Sequence, residues 1–301
     1  MKKNKVSVSI ITLNEERDLP ECLESVKWAD EIVVVDSFSS DKTVEIAKKF
    51  GCKIFQEDAG GRRLAILKNY AISKTRKDWV LSLDADEVIT PELRKETEEV
   101  LKNPKFDGYY FPRKSYIGKK WVKHAGQYPS YQLRLFKKDR GRFENSLVHE
   151  RVKINGKVGY MKNDMIHYNF DSWGDVIEKQ LNKLTTLEAE MLAGKRFVWF
   201  YPLGKIRGFF REYSRLREMG NNRRTSYVLS RRVFSGYEIK WLIPFRPFTT
   251  FFRLYFIMQG FRDGVYGLAW CLLTSVAVPI KFFKYHELKK KLSGKPEKIN
   301  T

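Results

Sequence analysis

Residues 79–87 read WVLSLDADE. Trp79 to Leu83 is an uncharged, strand-length run, and Asp84 and Asp86 close it two positions apart. A short apolar run cut off by acids is the pattern of a buried strand whose carboxyl end reaches a site. Two like charges this close repel and resist joint ionisation. A hard cation with oxygen ligands relieves that, and the spacing suits Mg²⁺ or Mn²⁺ bridging protein to a diphosphate. The plainer reading of such a pair is a loop acid capping the next helix. Position in the fold decides between the two.

Working outward, the first hundred residues alternate strand and helix patterns. Val6 to Thr12 is a β-branched strand, and Glu31 to Asp36 (EIVVVD) is an apolar strand ending in an acid. Lys53 to Gln56 is a third, shorter strand. Between them, Asp18 with Glu21 reads as a capping box, with Pro20 in the first turn of a helix from Leu19 to about Val26. Asp41 caps a second helix and Gly51 stops it. A third helix covers Arg62 to Ser73, and a fourth starts at Pro91 and runs to about Lys102. Such alternation predicts an α/β fold, a mostly parallel sheet with helices on both faces. Ligands bind outside the carboxyl ends of strands in these sheets. Topology alone then gathers Thr12, Asn14 and Glu16, Asp36 and Asp84 at one edge. No GxGxxG follows the first strand and no GxxxxGK[ST] occurs, which removes the dinucleotide and P-loop fingerprints.

From Gly108 to Ile154 aromatics, glycines and short extended runs complete the sheet, and from about Ser172 the chain turns helical. Leu203, Ile206, Phe209, Phe210, Tyr213, Leu216 and Met219 recur at helical steps with arginines between them, an amphipathic basic helix. Trp241 to Tyr285 is the most apolar stretch, and Gly264 to Ile280 holds 17 residues without a charge. A helix of that length spans roughly 25 Å, short of the roughly 30 Å hydrocarbon core. A helix lying in the membrane interface, a core helix and a span are the three readings. The division expected is a catalytic domain over 1–170 and a basic, membrane-associating helical region over 171–301.

The chain has 301 residues, 43% of them hydrophobic, and a formal charge of +21, which fits a globular protein with anionic partners. From Lys195 to Thr301, 22 Lys and Arg face 6 Asp and Glu. Nucleic acid, anionic lipid headgroups and phosphorylated glycolipids all suit that excess. A nucleic-acid-binding module is the competing class, but the aromatics sit in long apolar runs and not in an RNA-binding pattern. The three cysteines form no CxxC pair, as in a reducing compartment. The opening MKKNKVSVSIITLN reads as a strand, since its apolar run is broken by Ser7 and Ser9 and no small-residue cleavage site follows.

The segment SLVHERV sets His149 beside Glu150. Deprotonating a sugar hydroxyl needs a general base near the reacting centre, and either residue type can serve. With TLNEE, VVVDSFSSDKT, LKNYA, SLDADE and QLRLFKK, this segment completes an ordered set that resembles the family 2 glycosyltransferases of the GT-A fold. The likeness is greatest to the lipopolysaccharide inner-core β-1,4-glucosyltransferases and covers roughly residues 5 to 155. FRLYFIMQGFRDGVYGL and KYHELKK look like that subfamily's C-terminal region. The resemblance implies an inverting, metal-dependent hexosyl transfer, with glucose from UDP-glucose as the donor group. The acceptor it implies is a lipid-linked saccharide; a polyprenyl phosphate is the alternative. Thr12, Asn14, Glu16 and Asp36 would surround the nucleotide, and Asp84 would face the ribose. Asp86, with Asp84 and His149, would hold Mn²⁺ or Mg²⁺. Glu150 would be the base, supported by His149, and Lys68 and Arg134 would help at the diphosphate. Many members carry a second acid after the one at Asp36, where this chain has Ser37. The enzyme so implied is cytoplasmic and peripheral on the inner face of the membrane, binds an anionic membrane surface and takes no nucleic acid.

Overall fold

Strand β1 (Val6–Thr12) is the axis of the parallel half of the sheet. In the computed structural model it pairs in parallel with β2 (Glu31–Asp36) on one side and β4 (Trp79–Asp84) on the other. Strand β3 (Lys53–Gln56) extends the parallel set beyond β2. The structure describes residues 4–58, 64–144, 151–193, 196–198, 237–239 and 243–292. Val6, Val8, Ile10, Val34, Leu81 and Leu83 are buried in one core cluster, which explains why these strands read as nearly continuous apolar runs.

Helices α1 (Leu19–Ser25), α2 (Thr43–Lys49), α3 (Leu64–Lys74) and α4 (Pro91–Lys102) follow the four parallel strands. The capping box expected at Asp18 does not form. Asp18 makes no cap hydrogen bond; its carboxylate accepts from Arg17, and Glu21 accepts from the Tyr168 hydroxyl at 3.0 Å. At α4 the cap is Thr90, whose hydroxyl accepts from Leu93 N. Gly51, at φ +71°, ends α2 as expected.

The sheet is completed by mixed strands: β5 (Glu87–Ile89), β6 (Gly108–Ile117), β7 (Lys120–Trp121), β8 (Ser130–Lys137), β11 (Val158–Tyr160) and β12 (Met165–Phe170). Its order is β3-β2-β1-β4-β8-β6-β12-β5, with β7 and β11 paired to β6. Strand β8 runs antiparallel to β4, and β5 antiparallel to β12. A separate hairpin joins β9 (Gly141–Phe143) to β10 (Val152–Ile154). The first unit of the chain comprises Met1–Ile177 and Leu254–Trp270. It thus runs past residue 170 and takes in a later segment.

The second unit comprises Glu178–Arg253 and Cys271–Thr301. A π-helical turn (Glu178–Leu184) leads into α6 (Thr185–Ala193), after α5 (Trp173–Ile177) of the first unit. Ala189 and Leu192 pack on Phe282 and Tyr285. The Lys284 ammonium donates to Thr185 and Thr186 hydroxyls, both at 2.9 Å. Two short strands, β13 (Arg196–Val198) and β14 (Tyr237–Ile239), pair in parallel. The basic helix expected over 203–219 lies outside the described residues. Helix α7 covers Arg246–Phe252.

Helix α8 (Gly264–Leu292) has 29 residues, about 44 Å of helix at 1.5 Å per residue. It continues past the charge-free stretch and carries Pro279 within it. By length and composition it can cross a membrane, with a mean hydropathy of 1.5 over its apolar window. Its surface is two-sided. Trp270, Cys271 and Ser275 are buried, whereas Val265, Leu268, Leu272 and Val276, at steps of three and four, are exposed.

Candidate active site

Two loops follow β1 and β2 and are stitched together. In register, Thr12 stands beside Asp36. The Asp36 carboxylate is buried and accepts from the Thr12 hydroxyl at 3.0 Å, from Ser39 N at 2.9 Å and from the Ser39 hydroxyl. Asn14 sits in the left-handed region at φ 55°, its N–H donating to the Ser39 hydroxyl and its side-chain oxygen accepting from Ser40 N, both at 2.8 Å. Glu16 accepts from Lys42 N at 3.1 Å, and Asp41 accepts from Glu16 N and Thr43 N. The Asn14 side-chain oxygen and one Glu16 carboxylate oxygen are thus engaged in loop structure. Thr12 and Asp36 form the floor at the strand ends.

On the other side of β1, Ile11 is in register with Asp84. Asp36 and Asp84 thus flank the end of β1 on neighbouring strands, about 10 Å apart at the backbone by strand spacing. Both oxygens of Asp84 are taken: Lys68 Nζ of α3 lies 2.7 Å from Oδ1, and Arg134 Nη2 of β8 lies 2.6 Å from Oδ2. The same Arg134 nitrogen donates to Glu87 Oε1 at 2.5 Å, and Arg113 Nη1 approaches that oxygen at 3.4 Å. Glu87 also accepts from Asp84 N at 3.1 Å, closing the turn between β4 and β5. Burial opposes the charge on Asp84, but Arg134 and Lys68 outweigh it and hold its carboxyl far below the usual range. Burial likewise opposes the charge of Arg134, and Asp84 and Glu87 more than offset it.

Asp86 faces a different partner. His167 of β12 places Nε2 at 3.1 Å from Asp86 Oδ2, and Tyr168 N donates to Asp86 O at 3.0 Å. Burial again works against the carboxylate, and His167 lowers its pKa below the ordinary value. A divalent cation fits this pair. The Asp86 carboxylate is a donor suited to Mn²⁺ or Mg²⁺, which are commonly held by one or two carboxylates plus substrate phosphates, with the His167 imidazole beside it as an orienting partner. The described residues hold no cluster of three or more potential ligands; His149, expected as a third ligand, lies outside them. Nδ1 of His167 and Nε of Arg134 and Arg113 are buried with no hydrogen-bond partner among the described residues. Buried polar atoms clustered in this way suit a polar, acceptor-bearing ligand.

Of the residues expected from sequence, Thr12 meets Asp36, and Lys68, Asp84 and Arg134 converge. Asp86 stands next to that cluster. His149 and Glu150 lie outside the described residues. Their flanks are firmly tied: Glu144 N donates to Arg151 O at 2.9 Å, and the Asn69 side chain makes two hydrogen bonds to the Phe143 backbone, at 2.9 and 3.0 Å. The Lys68 ammonium sits 5.2 Å from the Phe143 ring centre. Sequence reasoning missed Glu87, Arg113 and His167. Glu87 was the third acid of LSLDADE and His167 one of only four histidines, but only sheet register sets His167 opposite Glu87.

The family model for glycosyl transferase family 2 matches residues 7–156. An uncharacterized glycosyltransferase of Rickettsia typhi is 31% identical over 238 residues, covering 68% of this chain and 78% of the relative. The lipopolysaccharide core biosynthesis glycosyltransferase LpsC of Rhizobium meliloti is 30% identical over 219 residues, covering 68% and 81%. Among solved structures, S. aureus TarS 1-349 in complex with UDP superposes over 99% of this chain and 94% of its own, at 16% identity and a TM-score of 0.43.

Proposed function

The chain belongs to glycosyl transferase family 2, and from that premise we propose that it moves a hexose, glucose from UDP-glucose, onto a lipid-linked saccharide such as a lipopolysaccharide inner core. The observation that carries the reading is the pair of cations closed on Asp84 beside the Asp86–His167 pair, at the carboxyl end of β4. A nucleoside diphosphate brings two phosphates to that edge. Lys68 and Arg134 are preorganised to meet them, and positive groups aimed at a leaving diphosphate are worth most in a water-poor site. Asp36 and Thr12 offer a carboxylate and a hydroxyl to the nucleoside. Asp86, oriented by His167, would hold Mn²⁺ or Mg²⁺, which would offset charge on the leaving group.

The transfer is inverting. An acceptor oxygen bonds to the anomeric carbon from the face opposite the diphosphate, and the bond to the diphosphate breaks with its electron pair. The acceptor proton goes to Glu150, with His149 supporting that base. The relative named for lipopolysaccharide core biosynthesis supports the acceptor class. The exposed apolar row Val265, Leu268, Leu272 and Val276 supports attachment to the inner face of the cytoplasmic membrane by one helix side. The excess of basic residues after Lys195 suits an anionic membrane, at about 1 kcal/mol for each Lys or Arg near the surface, and the long apolar runs that hold the aromatics favour a membrane over nucleic acid.

The test is release of UDP from UDP-glucose by the full chain on anionic vesicles carrying a lipopolysaccharide core acceptor. Turnover should require Mn²⁺ or Mg²⁺, vanish in EDTA, and fall by about 10² to 10⁴ in Glu150→Gln with UDP binding retained. Full turnover in EDTA removes the metal. A near-native Glu150→Gln beside a dead His149→Ala reverses the two roles.

A further inference from the structure

Three tyrosines outside the charged site form a corner of aromatic rings. Tyr110 is on β6, Tyr131 on β8 and Tyr160 on β11. Strand register sets Tyr160 beside Tyr110 on one side of β6, and Tyr131 beside Pro112 on the other. The Tyr110 and Tyr160 rings stack with centres 5.1 Å apart and planes 15° apart. Tyr131 meets Tyr160 at 5.0 Å and 82°, nearly at a right angle. Tyr160 is 62% exposed and Tyr131 42%. A side chain at position 159 would meet the Phe106 ring at 2.6 Å, so Gly159 is what lets β11 lie close enough for Tyr160 to reach Tyr110.

The contrast with the neighbouring Tyr109 is chemical. Tyr109 is 4% exposed, and its hydroxyl accepts from Lys105 N and Phe106 N at 3.0 and 3.2 Å. Among the described residues the hydroxyls of Tyr110, Tyr131 and Tyr160 have no hydrogen-bond partner. Burial, then the nearby phenols, push the Tyr160 pKa up, so its hydroxyl is a neutral donor at ordinary pH. No Lys or Arg of the described residues lies over these three rings. Exposed rings whose hydroxyls are free of protein partners offer a ligand both an apolar face and hydrogen-bonding groups.

A membrane would call for aliphatic side chains, and none is part of the corner. A nucleobase also stacks on aromatic rings, but nucleic acid brings phosphates and the cations that meet them. A pyranose matches: its C–H face lies on a ring while its hydroxyls reach phenol oxygens at the rim. We propose that Tyr110, Tyr131 and Tyr160 form a sugar-binding platform that holds a pyranose of the acceptor saccharide. Its assignment to the acceptor rests on the transferase reading above; its affinity for sugar does not.

The test is saturation-transfer NMR and calorimetric titration of the full chain with deacylated lipopolysaccharide core oligosaccharide, with UDP titrated in parallel. Tyr160→Ala should weaken oligosaccharide binding about tenfold, the loss expected for one stacked ring, and leave UDP affinity unchanged. Tyr160→Phe keeps the ring and should bind within a small factor of wild type. Tyr131→Ala, on a different strand, should repeat the loss and stands in should Tyr160→Ala misfold. A wild-type chain that does not bind the oligosaccharide, or alanine variants that bind it undiminished, overturns the proposal. Binding of a peptide but not of sugar at the same rings overturns it too. Sugar binding lost in the variants, with no glucose transferred by the wild type, would retain the platform and sink the acceptor reading instead.

Discussion

Two carboxylate clusters flank the end of β1, and they are balanced by different means. On the β2 side, Asp36, Asp41 and Glu16 are met by hydroxyls and backbone N–H groups. On the β4 side, Asp84, Asp86 and Glu87 are met by Lys68, Arg134, Arg113 and His167. The first arrangement shapes loops and is indifferent to an incoming anion. The second stores positive charge that an incoming diphosphate can share, and it leaves buried donors unfilled until one arrives. Residues of the same type at the same sheet edge thus do different work, and the difference lies in their partners.

The sharpest way to break this contrast is Asp86→Ala. On the β4 side the loss should fall more on rate than on fold. Turnover should drop by about 10² to 10³, the range for removing a group that stabilises transition-state charge, while the unfolding midpoint falls only by what the single pair with His167 contributes. Steady-state UDP release and urea melts measure both. A midpoint that collapses along with turnover would make Asp86 a structural member of the cluster.

How much of each cluster was legible follows from how far its contacts reach. Strands β1, β2 and β3 were read to the residue, because apolar runs closed by polar residues define them locally. Thr12 and Asp36 followed from those strand ends. Apart from Lys68 of α3, the partners of Asp84, Asp86 and Glu87 come from positions 113, 134 and 167, on strands joined by antiparallel and crossover pairings that no local pattern encodes. Lys68 and Arg134 were named only through resemblance. The capping box at Asp18 failed for a related reason: Arg17 sits next to it, and a charged neighbour outcompetes a backbone amide for the carboxylate.

Glu87→Ala probes stability on the β4 side. Glu87 is fully buried and supports Arg134, Arg113 and the Asp84 amide at once. Removing it takes the carboxylate from Arg113 and leaves Arg134 with Asp84 alone, and breaking a buried pair this way costs about 3–5 kcal/mol. Urea unfolding at neutral pH should show that loss, and Glu87→Gln, which still accepts hydrogen bonds, should show less of it. Acid separates the clusters further. Asp84 and Asp86 are held below their ordinary pKa. Their pairing therefore stabilises the fold fully above the unfolded-state value of about 3.9, and that contribution is lost as pH falls through the lower folded-state values. Wild-type stability should hold down to that region and then drop. A decline beginning near neutrality would point to histidine pairs instead.

Asn14 tests the β2 side, where the smallest effects belong. Its side-chain oxygen accepts from Ser40 N, and its backbone is left-handed. Asn14→Gly keeps the conformation and removes the hydrogen bond, a loss of about 0.5–1.5 kcal/mol. Asn14→Ala removes the bond but keeps a Cβ in the left-handed region, a cost of roughly 1–2 kcal/mol that Gly escapes. The gap between the two variants in urea therefore reads the backbone cost alone. Because the carboxamide is already committed to the neighbouring loop, UDP affinity in Asn14→Gly should change by less than about tenfold, under 1.4 kcal/mol. A larger affinity loss with no loss of stability would mean that the carboxamide leaves Ser40 for the nucleotide, and the β2-side loops would then be a binding surface as much as a scaffold.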